Sequence, residues 1–219
     1  MPRPINVENL FELNPNSQAV YYDNYVCIDD FYKNYDEIID VIENSPAESW
    51  KKSQWSRNFI DYYDCRLVFA NWQPDPIKVK ARTSAISSLV CNLLNIDRIT
   101  MEKSLQFNVF KHIKNNVPEI KQHHPHYDIG MINVLVYLDR HANGGTALYK
   151  DREVVNNEAS NLIVDISDYE IEEIIPAKPN RCVIFSGAFL HGAYIENNKV
   201  YEDNWRVTQA TILRLDNDE

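Results

Sequence analysis

Residues 126–138, HYDIGMINVLVYL, begin with two candidate metal ligands and continue into an apolar run that is typical of a buried strand. Residues two apart in an extended strand point the same way, so His126 and Asp128 can converge on one ion while Tyr127 faces elsewhere. His191 can complete the set from a neighbouring strand, because loop-closure entropy grows only logarithmically with the intervening chain. Two imidazoles and one carboxylate can occupy one face of a divalent iron and leave the opposite face open, which is the geometry that oxygen-activating non-heme iron requires.

The polar residues of this stretch belong to a longer ordered pattern. His126-x-Asp128 is followed by His191 and then by Arg206-x-Thr208. The runs between them are VLVYL at 134–138, GGT at 144–146 and CVIFSG at 182–187. This order resembles the motif of the iron(II)- and 2-oxoglutarate-dependent oxygenase superfamily. The arrangement is similar to that of the prolyl hydroxylase-like branch and of small oxygenases from phages and bacteria, and the resemblance covers roughly residues 105–215.

The resemblance implies a dioxygenase, more narrowly a hydroxylase, that oxidises an unidentified substrate with release of succinate and CO2. The implied cofactors are Fe(II), the cosubstrate 2-oxoglutarate and O2, with ascorbate as an optional addition. The implied metal ligands, which form the catalytic centre, are His126, Asp128 and His191. Arg206 would bind the distal carboxylate of 2-oxoglutarate with the help of Thr208, because a guanidinium beside a hydroxyl can hold a planar carboxylate through paired hydrogen bonds. Asn108, in a strand upstream of the ligands, would add a cosubstrate contact.

The chain from about residue 105 onward consists of short β-rich runs bounded by Asn, Asp, Gly and Pro. Eight strands at this density predict two facing sheets, and the family resemblance sharpens this to a double-stranded β-helix, or jelly roll, with flanking helices in a mostly β chain. We expect one oxygenase domain over residues 1–219, with a helical and aromatic N-terminal support at 1–100 and the jelly-roll core at 105–215. All five glycines lie between residues 130 and 192, where tight turns are therefore expected. The predicted strands are 105–113, 129–138, 146–150, 162–166, 171–175, 182–185, 192–195 and 205–215.

The first hundred residues contain two helix signals. Asn34 followed by Glu37 resembles a capping box, and the apolar residues after it share one face, which predicts a helix at about 35–44. Asp75-Pro76 is a second start signal, and the apolar spacing beyond it predicts an amphipathic helix at 76–95. We expect this second helix to lie across the outside of a sheet and to brace the barrel, because its apolar stripe is typical of packing.

The composition is that of an ordinary globular protein, with 219 residues of which 44% are hydrophobic and 25% are charged. The net charge of −10 argues against a general nucleic-acid binder, because phosphate affinity depends on clustered Lys and Arg. No apolar run reaches the length of a membrane span and the N-terminus lacks an apolar signal core, so we expect a soluble cytoplasmic protein with no membrane partner. The chain has four cysteines, Cys27, Cys65, Cys91 and Cys182. Three of them have apolar neighbours in the sequence, which is typical of buried thiols.

Other polar residues leave alternatives open. The run at 123–126, HHPH, offers three imidazoles for a zinc site, although the loop geometry expected there gives no regular spacing. Asp139 could compete as a metal ligand, although a turn or an ion pair is the better interpretation. Arg214 could compete with Arg206, although a surface pairing is the better interpretation for it. The solitary His112 and His141 are assigned no role.

Two segments near the expected pocket carry weaker predictions. Residues 196–204 are expected to form an extended loop, which accounts for the 15 positions between His191 and Arg206. An aromatic-rich segment could form a wall of the substrate pocket or could simply pack in the core. Its members are Trp50, Trp55, Tyr62, Tyr63 and Trp72, with Arg57 and Arg66 among them.

Two other functions remain open beside the hydroxylase. A catalytically silent jelly-roll binding module would retain the fold but would not need the carboxylate clamp at Arg206. A cupin-like metal enzyme usually uses more histidine ligands and a different spacing. We expect a small-molecule or peptide substrate; a protein side chain, a free amino acid, a metabolite and a nucleobase all remain open, because loops rather than the fold determine specificity.

Overall fold

The computed structural model describes residues 10–44, 51–52, 60–64, 76–96, 99–114, 122–150, 169–201 and 204–215. These residues form twelve strands and two α-helices. The helices are α1 (Tyr35–Glu43) and α2 (Pro76–Leu94), and a 3-10 helix spans Asn198–Tyr201. The strands are β1 (Ala19–Tyr21), β2 (Tyr25–Ile28), β3 (Lys51–Lys52), β4 (Ile60–Asp64), β5 (Ile99–Lys114), β6 (Gln122–His126), β7 (Met131–Tyr137), β8 (Gly145–Tyr149), β9 (Ile171–Pro176), β10 (Cys182–Ser186), β11 (His191–Tyr194) and β12 (Arg206–Leu215).

The strands pair in two antiparallel sheets. An eight-stranded sheet has the order β1-β2-β10-β7-β12-β5-β4-β3, and a four-stranded sheet has the order β6-β11-β8-β9. Successive strands from β5 to β12 therefore alternate largely between the two sheets, and most neighbours within a sheet are distant in sequence. The first hundred residues contribute β1 to β4 and part of β5 to the larger sheet.

The strands β2, β10 and β7 of the larger sheet are largely buried on both faces, and alternate side chains along them pack in opposite directions. On β10, Cys182 and Ile184 join an apolar cluster that includes buried residues of both helices, such as Ile38 and Val90. Val183 and Phe185, which alternate with them, join a second cluster with residues of the four-stranded sheet such as Leu148 and Ile175. The helices therefore cover one face of the larger sheet, while its other face meets the smaller sheet and lines the interior between them.

The predicted helices agree closely with the observed α1 and α2, and α2 packs beside β5 on the outside of the sheet as expected. The predicted capping box is wrong in detail, because Asn34 precedes α1 but makes no side-chain capping hydrogen bond. The strands predicted from 105 onward recur in the structure with ends shifted by at most two residues, except that β5 begins at Ile99 instead of 105 and that 162–166 lies outside the described residues.

Two local predictions are corrected. The run at 123–126, expected as an irregular loop, belongs to β6, and its proline is tolerated because β6 lies at the edge of the smaller sheet. The segment expected as an extended loop before β12 contains the 3-10 helix, whose Tyr201 is buried because its hydroxyl has polar partners inside the protein.

Two further features of composition are visible in the structure. Cys27 and Cys182 are buried free thiols, Cys91 is a partly buried one, and Cys65 lies outside the described residues. Neither α-helix of the described chain combines the length and apolar character that a membrane span needs.

Candidate metal centre

The two candidate histidine ligands face each other across a strand pair. His126 is the last residue of β6 and pairs in register with His191, the first residue of β11. Asp128 lies just beyond β6, in a turn closed by a hydrogen bond from the Met131 N–H to the Asp128 carbonyl. Its own N–H donates to the Gly187 carbonyl over 2.8 Å, which ties this turn to the turn after β10. The chain thus brings together three candidate ligands from two strands and one turn.

The geometry of the three side chains fits a divalent metal. Asp128 Oδ2 lies 3.4 Å from His191 Nε2 and 3.6 Å from His126 Nε2, and one ligand atom from each residue lies within 4.8 Å of the others. Metal–nitrogen and metal–oxygen bonds of about 2.1 Å at right angles separate neighbouring ligand atoms by about 3 Å. The Asp128 oxygen therefore needs to approach each imidazole nitrogen by only about half an ångström to share one ion with it.

The His191 ring is held in the orientation that metal binding needs. Its Nδ1 lies 2.8 Å from the Phe189 carbonyl, to which it donates, so Nε2 carries the lone pair. The Phe185 ring packs edge-on at a centroid distance of 4.8 Å, and the imidazole is buried. The His126 side chain is 48% exposed, so the site opens to solvent on that side.

A buried amide that the sequence analysis did not identify contacts two of the three ligands. Asn133, on β7, donates from Nδ2 to Asp128 Oδ2 over 3.0 Å and lies 3.2 Å from His191 Nε2. Burial of Asp128 raises the pKa of its carboxyl, but the hydrogen bond and the positive charges that His191 and His126 provide when protonated, together with the donor from Asn133, outweigh that effect, so the pKa lies below its usual value. The site thus favours the ionised carboxylate that a metal binds.

A buried cation lies on the interior face of β12. Arg206 is 3% exposed, and its Nη2 donates to the Gly145 carbonyl over 3.0 Å. Its guanidinium carbon lies 5.8 Å from the centre of the Tyr137 ring, within the range of a cation–π contact. The Tyr137 hydroxyl bonds Thr146 Oγ1 over 2.8 Å, and burial raises the pKa of Tyr137 to about 12, so this hydroxyl is neutral. The Gly145 carbonyl and Tyr137 beside this guanidinium are therefore both neutral.

Among the described residues, Asp139 does not belong to the cluster that could hold a metal. Its contacts are those of a turn residue. Its carboxylate accepts hydrogen bonds from the Ala142 N–H and from the Tyr201 hydroxyl, which closes the turn after β7. Burial raises the pKa of Asp139, while the Ala142 hydrogen bond and the charge of Arg206 oppose that increase. The turn interpretation made for Asp139 is therefore the one that fits its contacts.

The remaining candidates occupy different parts of the chain. Thr208 is buried on β12 opposite Tyr137, two positions from Arg206 along the same face. Asn108 pairs with Ala210 from the other neighbouring strand, β5, but its side chain lies outside the described part. Arg214 and His141 are exposed. The aromatic segment has only Tyr62 and Tyr63 in described backbone, on β4, and the side chains of the neighbouring histidines on β6 are likewise not described.

Comparisons with known proteins show similarity at the level of structure. No protein-family model and no curated protein matches the sequence. The epimerase SnoN in complex with Fe3+, alpha ketoglutarate and nogalamycin RO aligns with a TM-score of 0.52 and 13% identity, over 88% of this chain and 79% of that chain. A second SnoN structure, of the non-heme alpha ketoglutarate dependent epimerase from nogalamycin biosynthesis, gives 0.51 and 14% over the same shares.

A third structure, HygX from Streptomyces hygroscopicus with nickel, 2-oxoglutarate and hygromycin B bound, has a TM-score of 0.49 and 14% identity over 88% of this chain and 83% of that chain. The two SnoN alignments show that this chain shares the SnoN fold. The resemblance found in the sequence is thereby confirmed at the level of the fold.

Proposed function

We propose that this protein is an iron(II)- and 2-oxoglutarate-dependent dioxygenase that hydroxylates a small-molecule or peptide substrate with release of succinate and CO2. The observation that carries the proposal is the convergence of His126, Asp128 and His191 within 4.8 Å at one end of the interior between the sheets. A set of two imidazoles and one carboxylate with an open side is typical of non-heme iron enzymes that use oxygen. Bound Fe(II), with 2-oxoglutarate and O2, would supply the oxidising chemistry.

The fold that we propose is a double-stranded β-helix. Support comes from the alternation of strands from β5 to β12 between the two sheets and from the position of the candidate ligands at β6 and β11 of the smaller sheet. The shared SnoN fold is consistent with it. Such a barrel places ligands from different strands at its mouth, where a substrate can approach them.

The roles of the chain's own residues follow from their contacts. His191 would hold the metal through Nε2, since its Nδ1–H is used by the Phe189 carbonyl. Asp128 would supply one oxygen of an ionised carboxylate, which also neutralises part of the metal charge. His126 would complete the set from the exposed side, where substrate has access.

Arg206 would bind the distal carboxylate of 2-oxoglutarate. It is a buried guanidinium on a strand that faces the same interior, and a planar carboxylate can accept two parallel hydrogen bonds from it. Thr208 would add a hydroxyl donor from the same face of β12. Asn108 would contribute from β5, where it pairs in register with Ala210. Tyr137 beside Arg206 is neutral, so it does not compete with the ligand for the positive charge.

Conversion of 2-oxoglutarate to succinate without added substrate tests the proposal. The wild type should form succinate when Fe(II) and air are supplied. His126→Ala and Asp128→Ala should lower the rate by about 100-fold or more, because even outer-shell partners of a metal cost about 10- to 100-fold. His141→Ala is the matched control, because His141 is an exposed histidine outside the cluster, and it should leave the rate unchanged. Succinate formation that persists unchanged in His126→Ala or Asp128→Ala would refute the proposal.

Two other functions make different predictions. An epimerase with the same cofactors is a second candidate because SnoN, which shares the fold, is an epimerase; its product would carry no added oxygen atom, whereas a hydroxylase product would. A catalytically silent binding module would form no succinate. Calorimetry that detects no 2-oxoglutarate binding to the metal-loaded protein would favour that module over both enzymes.

A further inference from the structure

Asn133 is a buried polar residue at the candidate metal centre, and the proposed function assigns it no role. Its side chain is 3% exposed, and its Nδ2 lies 3.0 Å from Asp128 Oδ2 and 3.2 Å from His191 Nε2. We infer that Asn133 is a positioning residue whose amide holds the Asp128 carboxylate in the orientation that binds the metal. This inference rests on the proposed function, because it concerns the same metal centre.

The two contacts determine which way the Asn133 amide points. His191 donates from Nδ1 to the Phe189 carbonyl, so its Nε2 is an acceptor. Asp128 Oδ2, which lies 3.0 Å from Asn133 Nδ2, is also an acceptor. Both neighbours therefore require a donor, and Asn133 can satisfy both only by presenting its NH2 group.

The position of Asn133 in the fold explains why it can orient another residue. β7 lies inside the larger sheet, where Asn133 is flanked in register by Phe185 on β10 and by Ile212 on β12. Asp128, by contrast, follows an edge strand and lies in a turn. A side chain on a central strand is held more rigidly than one on a turn, so the amide can restrain the carboxylate.

The two hydrogen bonds of Asn133 have opposite effects on metal affinity. Metal binding takes the lone pair of His191 Nε2, so the contact of Asn133 with that nitrogen is lost. The hydrogen bond to Asp128 can persist, because a carboxylate oxygen has further lone pairs, and hydrogen bonds to a charged acceptor are roughly twice as strong as neutral ones. The retained bond therefore outweighs the lost one, and removal of the amide should weaken metal binding by about 10- to 100-fold.

Calorimetric titration with Ni2+ tests this inference without measuring catalysis. Ni2+ does not change oxidation state under these conditions and binds nitrogen and oxygen sites more tightly than iron(II), which widens the measurable range. Asn133→Leu keeps a similar shape without the donor and should lose about 10- to 100-fold in affinity. The matched control is Leu135→Ala, two residues along the same face of β7, which should bind Ni2+ within about twofold of the wild type.

A double-mutant cycle with Asp128→Ala separates positioning from general damage to the strand. If Asn133 acts through Asp128, Asn133→Leu should not lower Ni2+ affinity when Asp128 is already alanine. An equal loss in both backgrounds would show that Asn133 has only a structural role and would overturn the inference. Asn133→Ala replaces the leucine variant in the same cycle if the latter does not fold.

The controls also distinguish failure of the inference from failure of the proposed function. Wild-type protein that binds no Ni2+ would overturn the metal centre and the role of Asn133 with it. Wild-type protein that binds Ni2+ as tightly as Asn133→Leu does would overturn the role of Asn133 alone. The expected result is tight binding by the wild type and Leu135→Ala, with weaker binding by Asn133→Leu only where Asp128 is present.

Discussion

A single added methyl group at Gly187 should displace the candidate ligand Asp128. A Cβ on Gly187 would lie 2.8 Å from Asp128 Cβ and closer still to the Asp128 carbonyl oxygen. Nonbonded carbons normally stay about 3.5 to 4 Å apart, so Asp128 has to retreat by about 1 Å in Gly187→Ala. The retreat is resisted by two backbone hydrogen bonds, from Asp128 N–H to the Gly187 carbonyl and from Gly187 N–H to the Met131 carbonyl, both 2.8 Å long.

This displacement should affect both stability and metal binding. Overpacking at a buried position costs about 1 to 3 kcal/mol, which for a chain of this size lowers Tm by about 2 to 12 °C. A shift of about 1 Å also exceeds the tolerance of about 0.5 Å for a metal or catalytic constellation. We therefore expect Ni2+ affinity to fall by about 10- to 100-fold in Gly187→Ala, as measured by calorimetry alongside thermal unfolding.

Gly130→Ala is the matched control for this experiment. Gly130 lies in the same turn as Asp128 and has φ +74°, but a Cβ there would meet no heavy atom within 4 Å. The variant should lose about 1 to 2 kcal/mol through backbone strain and still bind Ni2+ within about twofold of the wild type. Gly187→Ala protein that binds Ni2+ as tightly as wild type would refute the reasoning that close packing at Gly187 positions Asp128.

Two further predictions concern stability. Hydrogen bonds from Arg181, with further help from Lys178, lower the pKa of Asp29 to about 2, so their stabilisation is complete above about pH 4 and is lost as pH falls toward 2. The Asp29 side chain is 37% exposed, so solvent weakens this interaction, and Arg181→Ala should lower the free energy of unfolding by only about 1 kcal/mol at pH 7. Thermal melts should show the difference between Arg181→Ala and the wild type shrinking between pH 4 and 2. A difference that stays constant over this range would contradict the pKa assigned to Asp29. Tyr201→Phe should lower the free energy of unfolding by about 1 to 3 kcal/mol in denaturant titrations, because it removes a hydrogen-bond partner from buried Asp139 and from the Asn143 N–H. A variant as stable as the wild type would argue against this hydrogen-bond network.

The helices were predicted most accurately from the sequence, because local interactions determine them. Helices predicted at 35–44 and 76–95 are observed at Tyr35–Glu43 and Pro76–Leu94, because apolar periodicity and a proline at the first helical position act within a few residues. The capping box failed at Asn34, since side-chain hydrogen bonds at a helix end depend on local geometry that residue types alone do not determine. Strand β6 was missed because its HHPH sequence has no β-branched residues, and pairing with β11 supplies the hydrogen bonds that local propensity does not.

The sequence by itself identified the candidate ligands, because residue type and order along the chain determine which side chains can bind a metal. The tertiary structure decided how those ligands are supported. Asn133 contacts His191 across 58 positions of sequence, and the packing of Gly187 against Asp128 likewise depends on the turns that two strands bring together. Such contacts arise from strand register and close packing between sheets, and an isolated amide or glycine in the sequence has many other structural explanations. The donor set was therefore readable from residue identity, whereas its geometry was determined by long-range pairing.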